Sequence, residues 1–386
     1  MVGRHEGLPL RLAGICRGNP MWLPFSLPLL GTPRNDKKGY LGMTTMSKVY
    51  LKDFSLSELE KWVQTIGEKP FRARQIFHHL YVRRVTSWDQ CTDLSKTFRT
   101  KLEQECETTK LSPVSHLVSS DGTEKFVFRL PDGHAIETVL IPDPPRFTLC
   151  VSSQVGCPLK CRFCYTGSLG FKRNLTAGEI VDQYVQVQKI IGSQIRITNI
   201  VFMGMGEPLI NEDAVYRALS ILLDPHGVNF SHRRITVSTV GIVPAMERLG
   251  SRYPVNLAIS LHAPRNDLRS SIMPINVTYP LEKVLEACVR FPLPPRKRIT
   301  FEYVLIEGVN DSPREARELI ELLRPIRCKI NLIPYNPHEG APYRRPSDKI
   351  IAEFQSILQS ANMTVTVRES RGADIHAACG QLWAGT

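Results

Sequence analysis

The chain has 386 residues and a formal net charge of +12, long enough for a barrel of roughly 250 residues plus an accessory unit. Such basicity favours a polyanionic partner, because clustered Lys and Arg gain affinity by releasing counterions condensed on nucleic acid; an ordinary solvated surface is the plain alternative. Ten cysteines are too sparse for a disulfide scaffold, no apolar run reaches the roughly 18 residues of a membrane span, and a cytoplasmic protein is expected.

Residues 1–46 include the apolar stretch 21–30, interrupted by Pro24 and Pro28 and lacking the continuous core and cleavage site of a signal peptide. They are read as a disordered tail or a start-site artefact ahead of Met46. Residues 47–112 are expected to form a small helical accessory domain. Ser55 with Glu58 and Ser57 with Glu60 are overlapping capping boxes ahead of Leu59, Trp62, Val63 and Ile66, with Gly67 as the stop. Pro70 opens a second helix in which Phe71, Ile76, Phe77 and Leu80 pack while Arg72, Arg74, His78, Arg83 and Arg84 face out. Basic residues interleaved with aromatics suit RNA, and a solvated helix face is the competing reading. Residues 113–145 read as a β-meander linker, with Asp121-Gly122 and Pro131-Asp132-Gly133 separating strands over 114–119, 123–130 and 135–141. Glu137 lies within the third, where a lone acid ordinarily belongs to the solvated face of an edge strand. Pro142, Pro144 and Pro145 then form a stiff link to a strand over 147–152.

That strand delivers the chain into Cys157-Pro-Leu-Lys-Cys161-Arg-Phe-Cys164. Three cysteines at i, i+4 and i+7 can wrap one metal cluster, yet they leave a four-iron cluster one thiolate short, and an open iron is a reaction site. A closed structural zinc site is the alternative; it needs a fourth ligand and usually paired short spacings. With Phe163 before the last cysteine, the pattern resembles the signature of radical S-adenosylmethionine (SAM) enzymes, in which SAM chelates the spare iron. Alternating strands and helices follow to residue 368, and their near-continuous apolar strands imply a parallel sheet covered by helices, either doubly wound or an open barrel. The resemblance favours an α/β fold with an open six-unit (β/α) partial TIM barrel, the radical SAM core, over residues 146–368. Polar or glycine-rich strand ends recur at Gly204-Met-Gly206-Glu207-Pro208, Ser238-Thr239, Ser260-Leu261-His262 and Tyr335-Asn336, where parallel α/β folds place ligands. Glu207 can receive an ammonium group there.

Cys150 ends an apolar strand, where a single cysteine is ordinarily a small core residue. Cys379 lies in the segment 369–386 among small residues, which suits a bare terminal extension or a thiol entering a crowded site. Together with Lys69-Pro-Phe-Arg-Ala-Arg74, Glu137-Thr-Val-Leu-Ile-Pro142 and Arg371-Gly-Ala-Asp-Ile-His-Ala-Ala-Cys379, these segments resemble the RlmN-type dual-specificity RNA methyltransferases from about residue 55 to 383. The resemblance implies conversion of adenosine to 2-methyladenosine in 23S rRNA, at the peptidyl transferase centre, and in tRNA, adjacent to the anticodon. It implies that Cys157, Cys161 and Cys164 bind one [4Fe-4S] cluster and that Gly206, Glu207, Ser238, Ser260, Leu261, His262 and Asn336 contact SAM. Cys379 would carry the methyl group, Cys150 would be its disulfide partner, and Glu137 the proton acceptor. Two SAM molecules would be consumed per methylation by a monomer that draws on an external electron donor. A related methyltransferase acting at carbon 8 of the rRNA adenosine is the nearest alternative; a basic RNA-binding module with a structural metal is the alternative of another class.

Overall fold

The computed structural model describes residues 48–383. The tail expected over 1–46 lies outside the described residues.

Strand β1 (Val49–Tyr50) leads to α1 (Leu56–Thr65), α2 (Phe71–His78), α3 (Lys96–Glu105) and β2 (Cys106–Glu107), which pairs parallel with β1. Of the two overlapping caps the first is used: Ser55 accepts from the Glu58 N–H and the Glu58 carboxylate accepts from the Ser55 N–H at 2.8 Å. The second helix differs from expectation in two ways. Phe71 is exposed with the Arg72 guanidinium over its ring, because at the first turn it faces away from the buried side formed by Ala73, Ile76 and Phe77. Beyond His78 the chain widens into a π turn over His79–Arg83 ended by Arg84 in the left-handed conformation.

Strands β3 (Ser112–Val118), β4 (Glu124–Arg129), β5 (Ala135–Asp143) and β6 (Arg146–Cys150) form an antiparallel meander. The proline run is not a linker between units: Asp143 pairs with Arg146 across it, so β5 and β6 make a hairpin. The cysteine segment is flanked by β7 (Gln154–Gly156), then α4 (Tyr165–Ser168) and β8 (Phe171–Asn174), and β7 pairs antiparallel with β8. There follow α5 (Ala177–Ile190), β9 (Asn199–Phe202), α6 (Glu212–Leu223), β10 (Ile235–Thr239), α7 (Val243–Arg252), β11 (Asn256–Ser260), α8 (Asn266–Ile272), α9 (Leu281–Arg290), β12 (Ile299–Leu305), α10 (Pro313–Leu323), β13 (Cys328–Pro334), α11 (Asp348–Ser360) and β14 (Val365–Val367). One sheet runs in the order β14-β13-β12-β11-β10-β9-β6-β5-β4-β3, parallel from β14 to β6 and antiparallel beyond it. Because β5 lies inside this sheet, Glu137 is buried rather than solvated.

Helix α5 joins the accessory helices to the sheet and is buried along most of its length. Asp182 on it meets the Lys52 ammonium, the Tyr50 hydroxyl at 2.9 Å and the Thr109 hydroxyl. Lys52 and Asp182 are both fully buried, and desolvation lowers the Lys52 pKa against the pull of Asp182. The next residue, Gln183, accepts from the Ser152 N–H and donates to the Ser152 carbonyl, at 2.8 and 2.9 Å. The helix therefore fixes the exit of β6, from which the cysteine segment departs.

Candidate active site

The β7–β8 hairpin closes the base of the cysteine loop. Gly156 has φ +72°, and a Cβ there would stand 1.8 Å from the Gly170 carbonyl oxygen, so only glycine fits. The Cys157 N–H donates to that same oxygen at 3.1 Å, and the Arg162 N–H donates to Ile272 at 2.9 Å, tying the loop to α8. Arg173 on β8 grips Glu179 of α5 with two bonds and also meets Asp132 in the meander turn. Cys157, Cys161 and Cys164 line one cavity. Among the described residues no three His, Cys, Asp or Glu side chains converge on a single-ion position; the thiolates of a polynuclear cluster each bind a different iron and need not do so. Burial pushes the Cys157 thiol up to about 12, a cost that metal coordination reverses by binding the thiolate. This soft donor set on a walled cavity fits an iron–sulfur cluster.

The strand ends complete the cavity. Gly206 has φ +99°, and a Cβ on it would strike the Gln154 side chain at 2.5 Å. Glu207 is buried; its carboxylate accepts from the Val240 N–H at 3.0 Å and the Leu209 N–H at 3.1 Å, and among the described residues it has no cationic partner. Burial raises its pKa to about 7 despite these bonds and one from Thr239. A desolvated carboxylate held by backbone donors, facing a cavity, is a fitting receptor for the amino group of SAM. Ser238, Ser260, His262 and Asn336 line the same cavity. His262 is kept neutral by burial, its pKa lowered to about 3; its Nδ1 accepts from the Val304 N–H at 3.0 Å, and its ring meets Phe163 edge-on at 4.8 Å. Leu261, expected at the same site, is fully buried and does not line the cavity; its N–H donates to the Glu302 carbonyl at 3.0 Å.

Two residues at this site escaped the sequence reading. Arg269 of α8, fully buried, donates to the carbonyls of Val240, Ser260 and Leu261 at 2.6, 3.0 and 3.0 Å, fixing the ends of β10 and β11. Glu302 of β12 lines the cavity with one carboxylate oxygen bonded to Asn331 at 3.0 Å and the other buried without a partner. Arg269 stands in the polar stretch Asn266-Asp-Leu-Arg269 and Glu302 within an apolar run, so neither local pattern points to a site.

The C-terminal segment is clasped, not loose. Asp374 accepts from Ser119 and Ser120, Asp121 accepts from the Gly372 N–H at 2.9 Å, the Tyr165 N–H donates to Gly380 at 2.8 Å, and Asn336 donates to the Cys379 carbonyl at 3.0 Å. Cys379 thereby reaches both the large cavity and a second one lined by Cys150. Glu137 lines neither: its carboxylate takes the Trp383 N–H at 2.7 Å and the Lys125 ammonium at 3.0 Å, and burial raises its pKa. The disulfide expected between Cys150 and Cys379 is not present; both are free cysteines, as are all described ones. Burial pushes the Cys150 thiol up to about 12, and the protein around Cys379 raises its thiol to about 11 although that residue is exposed at the surface.

Comparison with known proteins agrees with this assembly. Residues 151–322 match the family model of the radical SAM superfamily, and residues 49–108 that of the ribosomal RNA large subunit methyltransferase N-terminal domain. The chain is 60% identical over 337 residues to the dual-specificity RNA methyltransferase RlmN of Syntrophobacter fumaroxidans, covering 87% of this chain and 98% of that protein. The identity is 53% over 340 residues to the RlmN of Geobacter sulfurreducens, covering 88% and 93%. The crystal structure of a radical SAM methyltransferase from Sphaerobacter thermophilus superposes with a TM-score of 0.84 at 49% identity, covering 87% of this chain and 99% of that one. A shared fold, a shared N-terminal domain and identity sustained over nearly the whole length of these relatives lead to one assignment: the chain belongs to the RlmN family of dual-specificity RNA methyltransferases, within the radical SAM superfamily.

Proposed function

We propose that the protein methylates carbon 2 of adenosine in 23S rRNA and in tRNA through a methyl group carried on Cys379. The observation that carries this reading is the position of Cys379: the clasped C-terminal segment holds it at the junction of the cavity walled by Cys157, Cys161, Cys164 and Glu207 with the cavity walled by Cys150. A ring carbon without a nucleophilic lone pair needs one-electron chemistry, which a [4Fe-4S] cluster and SAM supply when bound, with two SAM molecules consumed per methylation.

The side chains divide the remaining work. Cys157, Cys161 and Cys164 hold the cluster; Glu207 receives the SAM amino group, and Gly206 lets the ligand approach the backbone. Ser238, Ser260, Asn336 and the neutral ring of His262 offer further polar contacts. Cys379 accepts the methyl group as a nucleophile, and Cys150, facing the same cavity, is the thiol assigned to product release. Glu137 takes the proton from the base, a role its burial-raised pKa supports and for which Trp383 must first withdraw from it.

In this reading the parallel strands curl into an open barrel. Support comes from Arg368, just past β14, whose guanidinium reaches the sulfur of Met203, just past β9, at 4.0 Å, although β13, β12, β11 and β10 separate those strands in the sheet. The helical residues 47–112 form the RNA-binding accessory domain, the meander 113–145 joins it to the barrel 146–368, and 369–386 is the catalytic-cysteine segment. Exposed Arg74, His78 and Arg83 offer the basic rim; Arg74 also reaches Glu60 at 3.7 Å, and Arg72 is engaged with Gln75 and Glu68. The electron donor is external to the chain and the enzyme acts in the cytoplasm as a monomer. Nucleoside mass spectrometry of rRNA and tRNA from strains with and without the gene tests the reading: 2-methyladenosine should disappear from both RNAs. Loss of 8-methyladenosine instead would assign the reaction to the other ring carbon.

A further inference from the structure

One buried carboxylate at the site has half its hydrogen-bonding capacity unused. Side chains alternate along a strand, and on β12 Thr300, Glu302 and Val304 fall on one face. Thr300 lines a cavity toward the amino ends of the strands, with Thr148, Thr236 and Lys329; Val304 lines the cavity of the cluster cysteines; Glu302 lines both, as do Met203 and Arg368. The Glu302 Oε1 accepts from the Asn331 amide at 3.0 Å, and the Asn331 carbonyl oxygen accepts from the Thr366 hydroxyl at 2.7 Å, so both side chains are held in one orientation. Oε2 is buried, and among the described residues nothing donates to it. A carboxylate oxygen taken out of water without a donor costs stability, and at a cavity wall such an oxygen points to a ligand that supplies one. We propose that Glu302 is a specificity-determining residue that receives the 6-amino group of the target adenine.

The inference rests on the proposed reaction, which brings an adenine to Cys379. In that reading SAM is held by Glu207, Ser238, Ser260 and His262, which line the large cavity alone. The cavity of Cys150 and Cys379 shares Met203, Arg368, Glu369 and Arg371 with the one at the strand starts. The base therefore has the wall of Met203, Glu302 and Arg368 left to it. Arg368, the cation on that wall, meets the Met203 sulfur at 4.0 Å rather than the free oxygen. The ring of adenosine offers acceptors at N1, N3 and N7, and its one donor group is the 6-amino group. An ionised carboxylate only accepts, so Oε2 can take that group and no other part of the base. A 6-oxo purine would set its carbonyl oxygen against Oε2 and leave both unpaired, which is how a buried polar group rejects an analogue lacking its partner. The Asn331 amide also decides what a substitution does: glutamine at 302 would keep its carbonyl oxygen on Asn331 and turn its NH₂ to the place of Oε2, a donor where there was an acceptor.

The test compares full-length tRNA carrying adenosine or inosine at the target position beside the anticodon. The affinity of the anaerobic holoenzyme for each RNA is read by fluorescence anisotropy, its affinity for SAM by equilibrium dialysis, and methylation of the adenosine RNA by nucleoside mass spectrometry. The parent should bind the adenosine RNA more tightly by roughly 10- to 100-fold, the weight of one hydrogen bond to a charged group. Glu302→Gln should shrink that ratio by about tenfold or more, and Glu302→Asp, which keeps an acceptor, should retain the preference for adenosine. A Glu302 that served only the fold would move both affinities together and leave the ratio unchanged. Equal binding of the two RNAs by the parent overturns the inference, and this arm stands whether or not the variants fold. A Glu302→Gln protein that keeps the parent's ratio overturns it too, and a loss of SAM affinity in that protein with the ratio unmoved would make Glu302 a SAM ligand instead. If the ratios behave as expected but the parent forms no 2-methyladenosine, the proposed reaction fails and the base contact stands.

Discussion

Glu207→Gln separates the cost of a buried carboxylate from its use. Glu207 has a folded-state pKa raised to about 7, above the ordinary carboxylate value, so it opposes folding wherever the unfolded chain is ionised. The penalty is absent below about pH 4.5, grows as pH rises and is complete above about 7, where the displacement amounts to roughly 3 kcal/mol. Glutamine has no such penalty, yet its amide oxygen can serve only one of the two N–H donors now satisfied by Val240 and Leu209, a loss of about 1–3 kcal/mol that does not depend on pH. Between pH 5 and pH 8.5 the stability of the variant relative to the parent should therefore improve by roughly 2–3 kcal/mol, read from anaerobic thermal melts of the two proteins. SAM affinity should fall in the variant by about 10- to 100-fold at pH 8, the value of a charge-assisted bond, and the ratio of the two affinities should shrink as pH drops below 7. A stability difference that stays constant with pH would refute the account of Glu207 as a desolvated, cation-free acid.

Three further outcomes follow from single contacts. Gly156→Ala places a Cβ against the Gly170 carbonyl in a left-handed backbone and should cost about 2–5 kcal/mol, with loss of the absorbance near 400 nm that reports the cluster. Lys52→Met leaves Asp182 buried without its cation and should lower stability by about 3–5 kcal/mol, measured by thermal melt. Cys150→Ala should leave RNA bonded to Cys379, seen as a nuclease-sensitive band of higher mass on denaturing gels, whereas normal turnover would return Cys150 to the role of a core residue.

What could be read from sequence was what local chemistry decides. The Ser55 capping box, the Asp-Gly turns of the meander and the alternation of strands and helices from α5 to β14 are properties of neighbouring residues, and each formed where it was expected. Strand-end motifs also gathered at one cavity, because parallel strands bring their carboxyl ends to one side. The misses share a cause. Glu137 is buried because its partner Lys125 comes from the adjacent strand and its Trp383 donor from 246 residues away. Arg269 is buried because carbonyls on two other strands accept its hydrogens. The β7–β8 hairpin is interrupted by the cysteine loop itself, which leaves strands too short to show alternation. The resemblance supplied the importance of Glu137, Cys150 and Cys379; the residue pattern around each did not.

The meander's part in this enzyme is clearest at the C-terminal segment. A reactive cysteine so near a chain end would ordinarily fray, yet Cys379 is bracketed by anchors on both sides: Asp374 on Ser119 and Ser120, Gly372 on Asp121, and the His376 carbonyl on Lys125 before it, then the Trp383 N–H on Glu137 after it. Every one of those partners lies on β3, β4, β5 or the turn between them, and Lys125 bonds the Glu137 carboxylate and the segment at once. The turn thus both reverses the chain and holds Gly372, whose φ of +66° and 2.8 Å Cβ approach to Ala377 admit no larger residue. Asp374→Ala should release the front of the segment while leaving the cluster loop, which it does not touch, intact. Hydrogen exchange should quicken over residues 372–377 and not over 157–164, methyl loading of Cys379 should fall, and cluster absorbance should hold. Unchanged exchange over 372–377 would show that the clasp does not depend on Asp374, and that Cys379 is held by its barrel-side contact with Asn336 instead.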